Sequence, residues 1–400
     1  ASASLFDPPR AILPNPPWAA EELFGVGENI LAALRLMADR SQQGSFGPGE
    51  GMLQSGSMLK ELQARFPLDH VYSATALESY ASCPFRFLLE KVLGLAPLEE
   101  WELEEDRRER GLLVHRILAE VHRRLNDRFG RPASPTELEE TDWETLLQEV
   151  IEETFADKPA DPVRAAMQEI HRRWICQRLA EYRQHHQNYE KDKKWTDFAQ
   201  RPRPAYFEIA FGQSNPPTPY GPLELSSPQP VEDDLKTVRI SGRIDRIDLG
   251  QAVGKVVFNI LDYKTSKTTW PTRATKLQRK QETVVLLQLP LYLLAAERII
   301  LADQQALPWF AGYWNIKDPG ATTPVSGFTA SKIERGNLAQ KEEWASNQQI
   351  VVQTVFRLVR AIRSGQFPVY SSEKECTRNC PWKTACRIRQ IRALGKSWSP

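Results

Sequence analysis

Residues 237–265, TVRISGRIDRIDLGQAVGKVVFNILDYKT, constrain the fold more tightly than any other stretch of the chain. Two runs rich in β-branched residues flank GQAVG, which has the composition of a turn, so they read as two strands of a hairpin. VVFNIL reads as a buried strand. Yet that apolar run ends on Asp262 and Lys264. Residues i and i+2 of a strand share a face. Asp262 and Lys264 therefore project together, and Tyr263 points the other way. Asp245 and Asp248 in the first strand have opposite parity, so only one can share the face of Asp262 across the hairpin. A lone Asp–Lys pair on a strand is ordinarily a surface ion pair worth little. The rest of the chain decides between that reading and a chemical one.

Residues 1–67 are rich in Pro and Gly, with one helix around EELFGVGENILAALRLMADR. SQQGSFGPGEGMLQSGS reads as a loop or linker. From Ser73, SATALESYASCPFRFLLEKVLGL has the pattern of a capped helix, a Cys-Pro break and a second helical stretch. Residues 103–128 form a long amphipathic helix containing GLLVHRILAEVHRRL, SPTE at 134–137 resembles a capping box, and two more helical segments run to about Tyr189. AYFEIAFG is a strand, and GQSNPPTPYGPLELSSPQP a Pro-rich loop. Beyond the hairpin come a helix at LQLPLYLLAAERII, a strand at WFAGYWNI and a helix at VVQTVFRLVRAIRSGQF. The order predicts an α/β or α+β core with a helical insertion at about 130–200.

A chain of 400 residues that is 41% hydrophobic can bury a real core. No apolar stretch is long enough to span a membrane. ASASLFDPPRAIL lacks the pattern of a signal peptide, and five Cys are too few for a disulfide scaffold, so the expected setting is cytoplasmic and reducing. The first residue is not Met, which leaves open a longer parent chain. A net charge of +1 excludes a general polycation. Charge is nonetheless unevenly spread. Residues 264–280 carry six Lys/Arg and no acid, residues 351–400 carry ten Lys/Arg against Glu373 and Glu375, and EEWELEEDRRER at 99–110 is acid-rich. Two basic runs flanking candidate chemistry suit an acidic polymer as partner.

Two carboxylates and the imidazole of His115 suit a hard divalent cation such as Mg²⁺ or Mn²⁺. A neighbouring Lys can orient or deprotonate a water and steady an anionic transition state, which is what phosphodiester hydrolysis needs. Cys376, Cys380 and Cys386 lie within eleven residues, with Cys83 far upstream. A tight trio with one distant partner suggests a metal centre, for which zinc is the generic choice. Cys176, in HRRWICQRL, reads as helix packing.

GRIDRID at 242–248 followed by ILDYKT at 260–265 resembles the core of the PD-(D/E)XK nucleases, and within them the RecB/AddB-type nuclease domain. SATALESYASCPFRFLLEKVLGL resembles the entry motif of that family, and GLLVH its GxxxH motif. LQLPLY contains its QxxxY motif as Gln288 and Tyr292, and CTRNCPWKTAC resembles its closing Cys cluster. The resemblance runs from about residue 71 to 390, in the family's order. It implies a restriction-endonuclease-like α/β core, a mixed sheet flanked by helices, over residues 68–395. Residues 1–67 would then be a preceding helical or linking segment.

By this resemblance His115, Asp245 and Asp262 are metal ligands for Mg²⁺ or Mn²⁺, and the Tyr263 carbonyl completes the shell. Lys264 is the catalytic Lys. His122, seven residues after His115 on the same helix face, is a rival ligand that the GxxxH spacing disfavours. Asp248 is structural, pairing with Arg243 or Arg246, and Glu208 is held as structural too. Gln288 and Tyr292 share one helix face beside the site and touch the substrate strand. Cys83, Cys376, Cys380 and Cys386 would hold a [4Fe–4S] cluster. The three-residue gap TRN stands where the family commonly has two, which keeps zinc open. The implied substrate is DNA, single-stranded or with a free end, and the implied partners are helicase-like domains in recombination repair. This chain carries no GxxxxGK[ST] motif of its own. Two other readings share parts of the pattern. One is a stand-alone exonuclease like the CRISPR-associated adaptation nucleases, against which the long insertion argues. The other is a non-catalytic DNA-end-binding module, against which the intact His115, Asp245, Asp262 and Lys264 argue.

Overall fold

A computed structural model describes residues 21–41, 44–96, 103–157, 159–228, 234–265, 286–316, 325–373, 375–378, 380–386, 388–396 and 398. The basic run at 264–280 lies outside the described residues beyond Thr265, as do residues 1–20 and 97–102.

Helices α1 (Glu21–Ser41) and α2 (Gly56–Arg65) precede a short strand β1 (Val71–Ser73) and helices α3 (Ala74–Ser82) and α4 (Pro84–Phe87). Ser73 caps α3 by accepting from the Ala76 amide at 3.1 Å. The Cys83 thiol accepts from the Arg86 amide at the start of α4, where Pro84 needs no hydrogen-bond partner. The long helix α5 (Leu103–Phe129) follows, then α6 (Glu140–Thr154), α7 (Pro162–Leu179) and α8 (Tyr182–Glu190). The capping box at Ser134 and Glu137 is present, although it opens a 3₁₀ turn rather than an α-helix. The insertion thus holds three helices where the sequence pattern suggested two.

The sheet begins with β2 (Phe198–Phe211), β3 (Leu223–Ser226), β4 (Thr237–Ala252) and β5 (Lys255–Lys264). It continues after helix α9 (Gln288–Ala295) with β6 (Leu307–Asn315) and β7 (Val325–Thr329). A separate hairpin, β8 (Ser331–Glu334) with β9 (Asn337–Gln340), leads into α10 (Glu342–Arg363). The seven-stranded sheet is mixed: β1 runs parallel to β4 and β5 parallel to β6, while β2, β3 and β5 are antiparallel to β4 and β7 to β6. The expected hairpin is β4–β5. Its turn is tighter than GQAVG suggests, because both strands run on to Ala252 and Lys255. Val253 and Gly254 alone make the bend, both at positive φ, as a two-residue hairpin turn requires. The stretch read as a Pro-rich loop contains β3, whose Leu223 and Leu225 are buried. Pro222 and Pro228 flank it closely, so only its alternation marks it as a strand.

Two apolar layers cover the sheet. Ile247, Phe258 and Ile260 pack with residues of α3, α9 and α10. Val257, Leu261 and Tyr263 pack with α5, α6 and α8. This is a mixed sheet between two helical layers, the arrangement of a restriction-endonuclease-like core. Residues 44–66 join the first layer through Leu62 and Phe66, and the buried carboxylate of Glu50 pairs with Lys396 at 2.8 Å. No helix among the described residues is long and apolar enough to cross a membrane.

Candidate active site

The site forms where β4 and β5 stop pairing. Arg246 faces Leu261 in the last paired position, and Asp245 and Asp262 come next. There the Asp245 carboxylate replaces a backbone acceptor: its Oδ2 takes the Tyr263 amide at 2.8 Å. Oδ1 is left facing His115 Nδ1 at 3.4 Å. Helix α5 crosses the opening of the strands, which brings the His115 ring to the same point, with Nε2 3.1 Å from the Tyr263 carbonyl.

Glu208 completes the group. It lies in β2 between Phe207 and Ile209, whose partners Arg246 and Ile244 bracket Asp245. Its Oε1 is 3.5 Å from His115 Nδ1. Ligand atoms of His115, Glu208 and Asp245 all lie within 4.8 Å of one another. Glu208 also has φ of 53°, the left-handed region that side chains other than Gly rarely occupy. The sequence pattern marks Glu208 as structural, yet the fold sets it in the carboxylate–imidazole cluster. Its place on a strand paired with GRIDRID was the available signal.

Asp262 is 3% exposed. Burial, and then the charge of Asp245, push its carboxyl up to about 7 against the opposing pull of Lys264 and His115. Lys264 Nζ sits 2.6 Å from Asp262 Oδ2. That is an ion pair without hydrogen-bond alignment, so Oδ2 keeps no hydrogen-bond donor. Gln288 Nε2 donates to Asp262 Oδ1 at 2.7 Å, and its Oε1 lies 3.5 Å from Lys264 Nζ. Lys264 also stands over the Tyr313 ring, 5.3 Å from its centroid. Burial lowers the His115 pKa, but the Asp245 and Glu208 carboxylates outweigh it and raise it to about 10.

Glu208 Oε1 and Asp262 Oδ2 are buried carboxylate oxygens without a hydrogen bond. Orphaned acceptors of this kind are costly unless something cationic meets them. A hard divalent cation fits this donor set, and zinc fits it less well.

The other expected residues fall into place around this centre. Tyr292 is buried, and its hydroxyl accepts from the Arg243 amide at 3.4 Å. Its ring lies against Gly242, where a Cβ would come within 2.5 Å of Tyr292 Cε1. The Gly of GRIDRID and the Tyr of QLPLY are therefore one packing unit. His122 lies apart from the cluster: it is fully buried, its Nε2 is 2.9 Å from Tyr182 OH, and burial lowers its pKa. Asp248 pairs with Arg246 at 2.5 Å, both with no exposure. Tyr263 points away from Asp262, as strand parity requires, and its hydroxyl meets that of Tyr182 at 3.0 Å.

The four cysteines of the expected metal centre sit at one end of the molecule. Cys376 and Cys386 pack with Val369, Ile388 and Ile391 against Phe85. The tail is tied to the Cys83 region, with the Ser372 amide on the Ser82 carbonyl at 3.0 Å and Trp382 Nε1 on Glu90 at 3.0 Å. Burial pushes the Cys83 thiol up to about 12, and the neighbouring thiols of Cys380, Cys376 and Cys386 add to the rise. All are free, and among the described residues no three come within 4.8 Å as a ligand set. Cys176 lies elsewhere, packed in the helical layer.

Comparison with known proteins agrees with this geometry. A 27% identical relative from Natranaerobius thermophilus, one of the two subunits of an ATP-dependent helicase/deoxyribonuclease, matches over 70% of this chain and 22% of its own length. Proteins of the same name from Moorella thermoacetica (26% identity, 67% of this chain, 22% of the relative) and Carboxydothermus hydrogenoformans (23%, 72% and 24%) match similarly. The chain thus spans less than a quarter of the length of these relatives. Residues 71–387 match the PD-(D/E)XK nuclease superfamily. That match covers well over half of the sequence and takes in every residue of the site, so the chain belongs to the PD-(D/E)XK nuclease superfamily.

Proposed function

We propose that this chain is the nuclease part of a helicase/nuclease subunit and hydrolyses DNA phosphodiester bonds with Mg²⁺ or Mn²⁺. The observation that carries the reading is the convergence of His115, Glu208 and Asp245, with Asp262 and Lys264 beside them on one strand face. DNA as substrate and a helicase as partner rest on the names of the relatives.

In this reading His115, Glu208, Asp245 and Asp262 hold the cation, with the Tyr263 carbonyl next to them. The bound cation would supply charge stabilisation and an acidified water. Asp245 fixes the strand opening by holding the Tyr263 amide, and so sets the direction of both Asp262 and Lys264. Lys264 presents a positive charge at the half-exposed edge of the site, where it can orient an attacking water and meet a phosphate oxygen. Gln288 keeps Asp262 and Lys264 in register with one another. Removal of metal with EDTA should abolish digestion of end-labelled single-stranded DNA, and Mg²⁺ or Mn²⁺ should restore it. Digestion that persists in EDTA would overturn the reading.

The four cysteines Cys83, Cys376, Cys380 and Cys386 are assigned to a [4Fe–4S] cluster. Four thiols gathered at one end raise one another's pKa, and ligation as thiolates to a metal cluster relieves that repulsion. The cluster has no step in the hydrolysis. It joins the segment before the sheet to the segment after it, and residues 71–387 between and around them act as one nuclease unit.

A further inference from the structure

Helix α9 carries Gln288 in its first turn, yet its own sequence does not cap it. Leu287, at the cap position, has no side-chain acceptor, and Pro290 has no amide hydrogen to place. The exposed amides of Leu287 and Gln288 instead donate to one carboxylate oxygen, Glu78 Oε1, at 2.6 and 2.7 Å. Glu78 comes from α3, more than two hundred residues upstream. It is largely buried, and the charge of Lys264 reaches it. An unbroken polar path therefore runs from Glu78 through the amide of Gln288 and its side chain to Asp262 Oδ1 and Lys264 Nζ.

Resting on the nuclease reading above, we propose that Glu78 is a positioning residue of the active site: it fixes the start of α9 so that the Gln288 amide bridges Asp262 and Lys264. Glu78 touches neither substrate nor the reacting atoms. A purely structural cap would add stability to α9 and leave the two catalytic side chains alone. The geometry favours positioning, because the capped residue is itself the one whose side chain spans the Asp–Lys pair. A carboxylate is also suited to the role, since one oxygen accepts from two adjacent amides at the positive end of a helix.

The test is a mutant cycle on the full chain, read by Mn²⁺ affinity in titration calorimetry and by kcat and KM for single-stranded DNA. Glu78→Ala should lower kcat by about ten- to a hundredfold and weaken Mn²⁺ binding, with KM changed less than about threefold. Glu78→Gln keeps an acceptor oxygen and should recover most of the loss. The double variant Glu78→Ala/Gln288→Ala should be no worse than Gln288→Ala alone, because both act through one path. Losses that multiply in the double variant would overturn the proposal, as would a Glu78→Ala enzyme that melts earlier but keeps kcat and Mn²⁺ affinity at a permissive temperature. Wild type that binds Mn²⁺ without cleaving DNA would end the nuclease reading, and the Mn²⁺ cycle would still decide the role of Glu78.

Discussion

At the scale of single residues, the site stores opposed charges that only a cation reconciles. Asp262 has a carboxyl raised from 3.8 to about 7 by burial and by Asp245. The folded protein thus holds this proton more tightly than the unfolded chain, and stability falls as pH rises from about 4 through 7. His115 lies at about 10, so the stability from its protonated form is full below 6.5 and is lost as pH rises through 10. Both signs agree: metal-free protein should melt at lower temperature as pH rises, and Mn²⁺, which competes with these protons, should bind more tightly. Asp262→Asn removes the ionisable group. Its melting temperature relative to wild type, both metal-free, should rise between about pH 5 and pH 8. A difference that is flat or falls with pH would contradict the burial of an ionised Asp262. Asp262, Lys264, Asp245 and His115 were legible from parity and spacing alone, because a strand fixes which side chains point together. Glu208 was not, because nothing in AYFEIAFG signals that its backbone turns through positive φ at that residue.

At the scale of elements, the helical insertion is joined to the back of the catalytic hairpin by a buried polar network. The Arg246 guanidinium donates to both oxygens of Asp248, at 2.5 and 2.8 Å, and to Tyr182 OH at 3.0 Å, with His186 Nε2 at 2.8 Å. Tyr189 and Asn259 extend the network to Asp248 and β5. Removing one partner of such a pair leaves a buried charge uncompensated, so Asp248→Asn should cost about 3–5 kcal/mol in urea unfolding. The double change Arg246→Met/Asp248→Leu should recover much of that loss, since replacing a whole buried pair with apolar groups is often nearly neutral. A loss below about 1 kcal/mol in Asp248→Asn would mean that water reaches the pair. The sequence offers Arg243 and Arg246 as alternatives for Asp248. Strand parity decides it, because residues 246 and 248 share a face. Tyr182, His186 and Tyr189 were not legible as partners, since the insertion helices dock by tertiary packing that a local pattern does not encode. The short strands β3, β7, β8 and β9 were missed for a related reason: four or five residues carry too little alternation to stand out.

At the scale of the whole molecule, the two ends of the described chain meet on one side. Glu50 and Lys396 form a fully buried ion pair, and the Val369 amide bonds to the Glu50 carbonyl at 2.9 Å. The four cysteines lie at the same end, with Cys376 and Cys386 in the apolar cluster that holds Val369 and Phe46. Closing a flexible loop of about 300 residues costs about 5 kcal/mol in chain entropy, so a ligand set joining Cys83 to the tail constrains the whole domain. Protein purified without oxygen should be brown and hold about four iron atoms per chain. Cys380→Ala should lower both iron content and melting temperature. Colourless protein with one zinc would replace the cluster with a zinc staple, and a Cys380→Ala variant as stable as wild type would remove the staple altogether. The order of helices, hairpin and closing strand was legible because each segment is long and periodic. The closeness of the two ends was not, because no local signal links Glu50 to Lys396. All of this architecture serves to hold one lysine and three carboxylates at the opening of two strands. The most direct test is cleavage of end-labelled single-stranded DNA by Lys264→Ala at saturating Mn²⁺, alongside wild type. Cleavage should fall at least about a hundredfold while Mn²⁺ affinity is retained, and cleavage within about threefold of wild type would contradict the assignment of Lys264 to the reaction.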